Sequence, residues 1–216
     1  VWCHDCAAIF APARPKAACP FCGEAGSDRT CIDCQSTHAL DGFTVLFPYA
    51  DPRVRRVLIG WKYRGDPPYA EVITRWIHAR VSTASFLPSP PEGFVIVPIP
   101  LHIGRLRARG FNQAETVSHA LSEALSLPHL DLLERIRRTS PQAKIEHAKR
   151  RAEDLAGAFR AGVGKASASK SSRTTMPSHI ILCDDVFTTG ATMDAAAKAL
   201  KAAGVKTVWG FATAKG

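Results

Sequence analysis

Between His179 and Thr192 the chain reads His-Ile-Ile-Leu-Cys-Asp-Asp-Val-Phe-Thr-Thr-Gly-Ala-Thr. An apolar run of strand length ends in two adjacent carboxylates. A loop of small hydroxyl residues and glycine follows, and Met193 to Ala203 then reads as an Ala-rich helix. That order of strand, acidic edge, phosphate-sized cradle and helix N-terminus is the tightest constraint the chain carries. Loop amides and the positive end of a helix dipole hold phosphate well. Thr188, Thr189 and Thr192 add hydroxyl donors, and Gly190 lets the backbone approach closely. Asp184 and Asp185 would repel a phosphate, but they suit the hydroxyls of a sugar that carries one. An ordinary strand–helix junction needs a single capping Asp or Thr. It leaves two acids, three threonines and a glycine within nine residues unexplained.

This stretch resembles the 5-phosphoribosyl-1-pyrophosphate (PRPP) signature of type I phosphoribosyltransferases. The resemblance implies that Asp184 and Asp185 bind the ribose hydroxyls. It assigns the 5-phosphate to Thr188, Thr189, Gly190, Ala191 and Thr192.

Six of the seven cysteines lie in the first 34 residues, as Cys3-x2-Cys6, Cys19-x2-Cys22 and Cys31-x2-Cys34. Repeated C-x2-C pairs in a chain without a secretory h-region point to zinc rather than to disulfides. One tetrahedral zinc takes four ligands, so one pair is left over. The best closed set is Cys19, Cys22, Cys31 and Cys34, with an eight-residue spacer and Gly23 relieving the first turn. Cys3 and Cys6 then belong to a second site completed upstream of Val1. The alternative groups Cys3, Cys6, Cys19 and Cys22. His4 and His38 are substitute candidates that read more simply as surface histidines. A ribbon this small builds little core, so the metal supplies its folding energy.

The remainder divides into recognisable segments. Phe43 to Tyr49 alternates as a strand, and Pro52 opens an amphipathic helix through Val54, Val57, Leu58 and Trp61 that closes at Lys62-Tyr63-Arg64-Gly65. A second helix runs from Pro67 to Val81, and a Pro/Ser-rich loop from Ser82 to Gly93. Phe94 to Val97 is an apolar strand entering Pro98-Ile99-Pro100, followed by Arg105, Arg107 and Arg109. Guanidinium forks beside a proline-fixed loop suit pyrophosphate, although a solvated basic cluster opening a helix has the same composition. Asn112 to Ser126 is a helix with Ala114, Val117, Leu121 and Leu125 inward. Arg135 to Gln142 and Lys149 to Arg151 form a basic, turn-rich excursion, readable as a lid or as a solvated surface. A short strand around Phe159, a surface insertion over Gly162 to Ser178, and a last strand from Val205 to Thr213 complete the chain.

Taken together, these segments resemble the ComF family, phosphoribosyltransferase-like proteins linked in some bacteria to DNA uptake by competent cells. Its marks are the C-x2-C pairs, Lys62 to Gly65, Val97 to Pro100, Arg109 to Gln113, Arg138 to Gln142, Gly157-Ala158-Phe159 and Asp184 to Thr192. Two departures stand out. Glu153-Asp154 occurs where the family usually has Asn, and there are three C-x2-C pairs where members often carry four.

The resemblance implies an α/β fold of the type I phosphoribosyltransferase kind, with a mostly parallel sheet over residues 43–216 and a zinc ribbon over 1–40. It implies PRPP as donor with Mg2+ on its pyrophosphate. Pro98, Ile99, Pro100, Arg109, Arg138 and Gln142 are the pyrophosphate and lid candidates. The formal charge of +9 calls for an anionic partner, a polyphosphate substrate or nucleic acid. No apolar run reaches the roughly 18 to 20 residues of a membrane span, and a cytoplasmic location is expected. Three functions fit: transfer of phosphoribose to an unknown acceptor, PRPP sensing without turnover, and handling of single-stranded DNA alongside competence proteins.

Overall fold

A computed structural model describes residues 15–64, 67–81, 93–137, 155–162 and 176–216. Four parallel strands form the central sheet in the order β1–β6–β5–β2: β1 (Gly42–Pro48), β2 (Phe94–Pro98), β5 (His179–Phe187) and β6 (Thr207–Lys215). β5 lies inside, bonded to β2 on one side and β6 on the other. Its near-continuous apolar run is what a strand covered on both faces requires. β3 (Leu133–Arg135) and β4 (Phe159–Ala161) pair antiparallel as a separate two-stranded ribbon.

Helices cover both faces. In α2 (Pro52–Arg64), Val54, Val57, Leu58 and Trp61 recur at helical spacing, and each is at most 1% exposed. α3 (Pro67–Val81) and α5 (Gln113–Leu125) join α2 on one face. There Trp61, Trp76, Ile77 and Leu121 pack on Ile181 and Cys183 of β5. Complete burial of such side chains contributes roughly 1.5–3 kcal/mol each. On the other face α6 (Ala191–Ala202) places Met193, Ala196, Ala197 and Leu200 against Ile180 and Leu182, with Leu132 and Phe159 beside them. The small α6 residues let helix and sheet approach closely. Among the described residues, no helix is long and apolar enough to cross a membrane.

Two details differ from the sequence reading. β5 does not stop at the acids but continues to Phe187. β6 keeps pairing with it, Asp184 opposite Ala212 and Phe187 opposite Lys215. The arginine cluster forms its own short helix, α4 (Ile103–Arg109), which ends at Gly110, whose left-handed φ of +83° turns the chain out of the helix after its N–H makes the last bond, to Leu106 O. Residues 82–92, 138–154 and 163–175 lie outside the described set, and with them most of the expected loop, lid and insertion.

The N-terminal segment carries a helical turn, α1 (Ile32–Gln35), and a tight knuckle closed by Cys19 N–H to Glu24 O at 2.8 Å. It is sewn to the sheet through Thr30 N–H to Asp41 O and Phe43 N–H to Asp28 O.

Candidate functional site

A cavity of about 290 Å³ opens at the carboxyl ends of β2 and β5, where parallel sheets generally receive ligands. Alternation along β5 distributes its two acids. Ile181 and Cys183 face the α2–α3–α5 layer and Ile180 and Leu182 face α6, so Asp185 continues the first row and Asp184 the second. Asp185 accordingly meets α2, where Lys62 Nζ lies 2.7 Å from its Oδ2. Asp184 Oδ1 accepts a 2.8 Å hydrogen bond from Asp185 N–H, and its charge is felt by Arg135 of β3.

The two acids have different surroundings. Burial, reinforced by the charge of Asp185, raises Asp184 from 3.8 to about 7. Burial pushes the Lys62 ammonium down, but the carboxylates of Asp185 and Asp184 outweigh it, and the net shift is upward. Lys62 therefore remains a cation bound to Asp185. Arg135 is lowered by burial and by the neighbouring Arg105.

Beyond β5 the chain turns at Gly190 into α6. Gly190 has φ +77°, and a Cβ there would lie 2.5 Å from the Phe187 ring, so conformation and space both require glycine. The N-cap position of α6 is Gly190, which has no side chain to cap the helix. Thr188, Gly190, Ala191 and Thr192 line the cavity, whereas Thr189 is exposed and is not part of the lining.

On the β2 side, Ile99 N–H donates to Cys183 O at 2.9 Å, which binds the Pro98–Pro100 loop to the strand that bears the acids. Asn112 caps α5 through Ala114 N–H, and its Nδ2 donates to Ile99 O at 3.1 Å. Arg109 donates to Gln113 Oε1 at 2.8 Å. Ile99 and Arg109 line the cavity; Pro98 and Pro100 shape the loop without lining it. Arg138 and Gln142 lie outside the described residues.

Arg105, named with Arg107 and Arg109 in the sequence, also faces the cavity, as do Lys62, Arg135 and Tyr49, which the sequence did not place at the pyrophosphate grip. Arg105 and Arg109 are four apart on α4 and share a face, whereas Arg107 is exposed. That spacing was a usable signal. Lys62 sat inside a recognised motif, Arg135 inside a basic cluster, and Tyr49 carried none. The described lining thus sets four cations against two carboxylates.

The cysteine cluster lies nearby. The thiol sulfurs of Cys19, Cys22, Cys31 and Cys34 all fall within 4.8 Å of one another, with Cys22 and Cys31 3.5 Å apart. The edges of a tetrahedral zinc–thiolate site, with bonds of about 2.3 Å, are about 3.8 Å. Four free thiols at this spacing fit one metal ion, and soft donors select zinc among the common divalent ions. Burial pushes Cys19 up, but the N–H groups of Cys31, Cys22 and Phe21 overcome it and bring it down to about 6. Burial and the neighbouring sulfurs raise Cys34 to about 12. Gly23, at φ +79°, makes the knuckle turn. His38 is no ligand; it stacks on Phe21 and pairs with Asp194. Cys3, Cys6 and His4 lie outside the described residues.

No family model matches the chain. Curated relatives do. ComFC of Bacillus subtilis is 33% identical over 190 residues, which span 84% of this chain and 70% of that protein. The chain belongs to the ComF family. Competence protein F of Haemophilus influenzae is 29% identical over 205 residues, 90% of this chain and 85% of its own length. ComFC of Streptococcus pneumoniae is 29% identical over 213 residues, 97% and 85% respectively. At 97% of the chain, the similarity to the Streptococcus pneumoniae protein extends over the cysteine cluster as well as the sheet.

Proposed function

We propose that this ComF-family chain binds PRPP and transfers its 5-phosphoribose to an acceptor with release of pyrophosphate. The carrying observation is the composition of one cavity. It joins a carboxylate pair near the carboxyl end of β5, a helix N-terminus behind a glycine turn, and arginines from two further elements. This combination suits a polyol flanked by two anionic groups. The parallel sheet with its site at the strand ends accords with a type I phosphoribosyltransferase arrangement.

On this reading Asp184 and Asp185 accept hydrogen bonds from the ribose hydroxyls, and the 188–192 loop with the first turn of α6 holds the 5-phosphate. Arg105, Arg109 and Arg135, with the Ile99 loop, hold the pyrophosphate. As the C1–O bond breaks, its electron pair leaves with pyrophosphate and positive charge grows on the ribose ring. The guanidinium groups stabilise the departing oxygens, and the adjacent carboxylates stabilise the cation. Mg2+ binds through one or two carboxylates together with substrate phosphates. Asp184 and Asp185 are the only described lining residues with that chemistry, and the ion would neutralise pyrophosphate charge. Reduced thiols gathered for a metal accord with a cytoplasmic location.

The acceptor decides between transfer and sensing. PRPP with Mg2+ is offered with a panel of bases, nucleosides and amines, and released pyrophosphate is measured. Acceptor-dependent release supports transfer. Tight PRPP binding without release under any acceptor supports a sensing role for the same pocket. Absence of PRPP binding removes both.

A role in competence follows the names the relatives carry. The net charge of +9 and a second groove bearing the exposed Arg55 and Arg56 of α2 favour contact with nucleic acid. Binding to single-stranded DNA that falls steeply with salt and weakens on cysteine replacement would support that reading; salt-insensitive binding would remove it.

A further inference from the structure

Phe21 stands between Cys19 and Cys22 in the knuckle, and its ring reaches away from the four thiols toward the cavity loop. One face lies on the His38 imidazole, centroids 3.5 Å apart and planes 6° from parallel. Its Cε1 would be 3.0 Å from a Cβ on Gly190, and the Phe187 ring is 6.4 Å away. Phe21 is thus a wall of the turn that begins α6, although it does not line the cavity. A second tether runs in parallel. His38 Nδ1 lies 3.2 Å from Asp194 Oδ2, and Ala39 N–H donates to Asp194 Oδ1 at 2.7 Å. Asp194 N–H in turn donates to Gly190 O at 2.8 Å. Lys215 Nζ, at the end of β6, reaches Pro20 O at 3.3 Å.

Within residues 15–39 the only buried apolar side chains are Cys19 and Pro20. The knuckle has almost no core of its own, so the metal is what holds its shape. Phosphate binding, by contrast, depends on several loop amides converging to within a few tenths of an ångström. We propose that Phe21 is a positioning residue through which the four-cysteine metal site holds the 188–192 loop in its binding shape, so that metal occupancy sets the affinity of the cavity for a phosphorylated sugar. The ligand rests on the phosphoribose reading above; the coupling rests on packing alone.

The test uses the full metal-loaded chain and its Phe21→Ala and Phe21→Tyr variants. Metal content, amide hydrogen exchange of the ligand-free loop, and calorimetric titration with PRPP and Mg2+ are compared. Phe21→Ala should keep the metal while exchange at 188–192 and the PRPP Kd each rise roughly tenfold. Phe21→Tyr should restore both. Chelating the metal from the wild-type chain should reproduce the Phe21→Ala loop, and chelating the variant should add little. Wild-type loop exchange in metal-loaded Phe21→Ala would overturn the proposal. So would loss of the metal from that variant, because Phe21 would then belong to the metal site's own fold. If PRPP binds neither protein while the loop exchange still shifts, the coupling stands and the phosphoribose reading falls.

Discussion

Asp184 and Asp185 are neighbours in sequence but not in environment. Asp185 is held by Lys62, whereas Asp184, which also lines the cavity, has its pKa raised to about 7. A carboxyl whose folded pKa exceeds its unfolded value binds its proton more tightly when folded. Its stabilising contribution is complete below the unfolded value of 3.8 and is lost as pH rises through about 7. In the ligand-free protein Asp184→Asn should therefore raise the melting temperature at pH 8 by roughly 3–8 °C and by much less at pH 4. Equal gains at both pH values would show that the carboxylate is not strained by burial. The same variant should bind PRPP more weakly, because strain at a functional site is relieved at the expense of binding. On the proposed reading, Mg2+ and the developing ribose charge would relieve it too, because both would favour ionised Asp184.

At the scale of elements, the proposed function assigns the 5-phosphate to the β5–turn–α6 unit and the pyrophosphate to α4. Gly190→Ala forces a Cβ into the Phe187 ring at a left-handed φ. The expected cost is about 1–3 kcal/mol of stability, read by denaturant unfolding, together with loss of affinity for ribose 5-phosphate. The arginines of α4 should behave differently. Arg105→Ala combined with Arg109→Ala should weaken PRPP at least tenfold yet leave ribose 5-phosphate nearly unaffected, since that ligand lacks pyrophosphate. An equal loss for both ligands would move these arginines to the 5-phosphate. Most element boundaries were legible in the sequence because burial imposes period: Val54, Val57, Leu58 and Trp61 announce α2, and the apolar run announces β5. The end of β5 was not. Two aspartates look like a stop, but pairing with β6 supplies backbone partners that local sequence does not reveal. α4 was missed as a helix of its own because its seven residues, four of them Arg, Leu, Arg and Ala in alternation before Arg109, are too few to show a helical period.

At the scale of the whole molecule, three distant stretches meet: a cysteine knuckle near the N-terminus, a loop after β2, and the strand–helix junction after β5. The motifs disclosed each stretch, but only folding brings Lys62, Arg105 and Arg135 around the acids, because a cavity wall is defined by topology rather than by spacing. The grouping of Cys19, Cys22, Cys31 and Cys34 was one of two sequence alternatives, and the thiol cluster favours it. Chelating the metal should abolish amide protection over residues 17–38 while β5 and β6 stay protected. Simultaneous loss in the strands would mean that the metal supports the whole fold. The most direct test of the central claim is a calorimetric titration of the full chain with PRPP and Mg2+ beside the Asp184→Asn, Asp185→Asn double variant. Saturable binding by the native chain, absent from a folded double variant, is the predicted result; undiminished binding by that variant would contradict it.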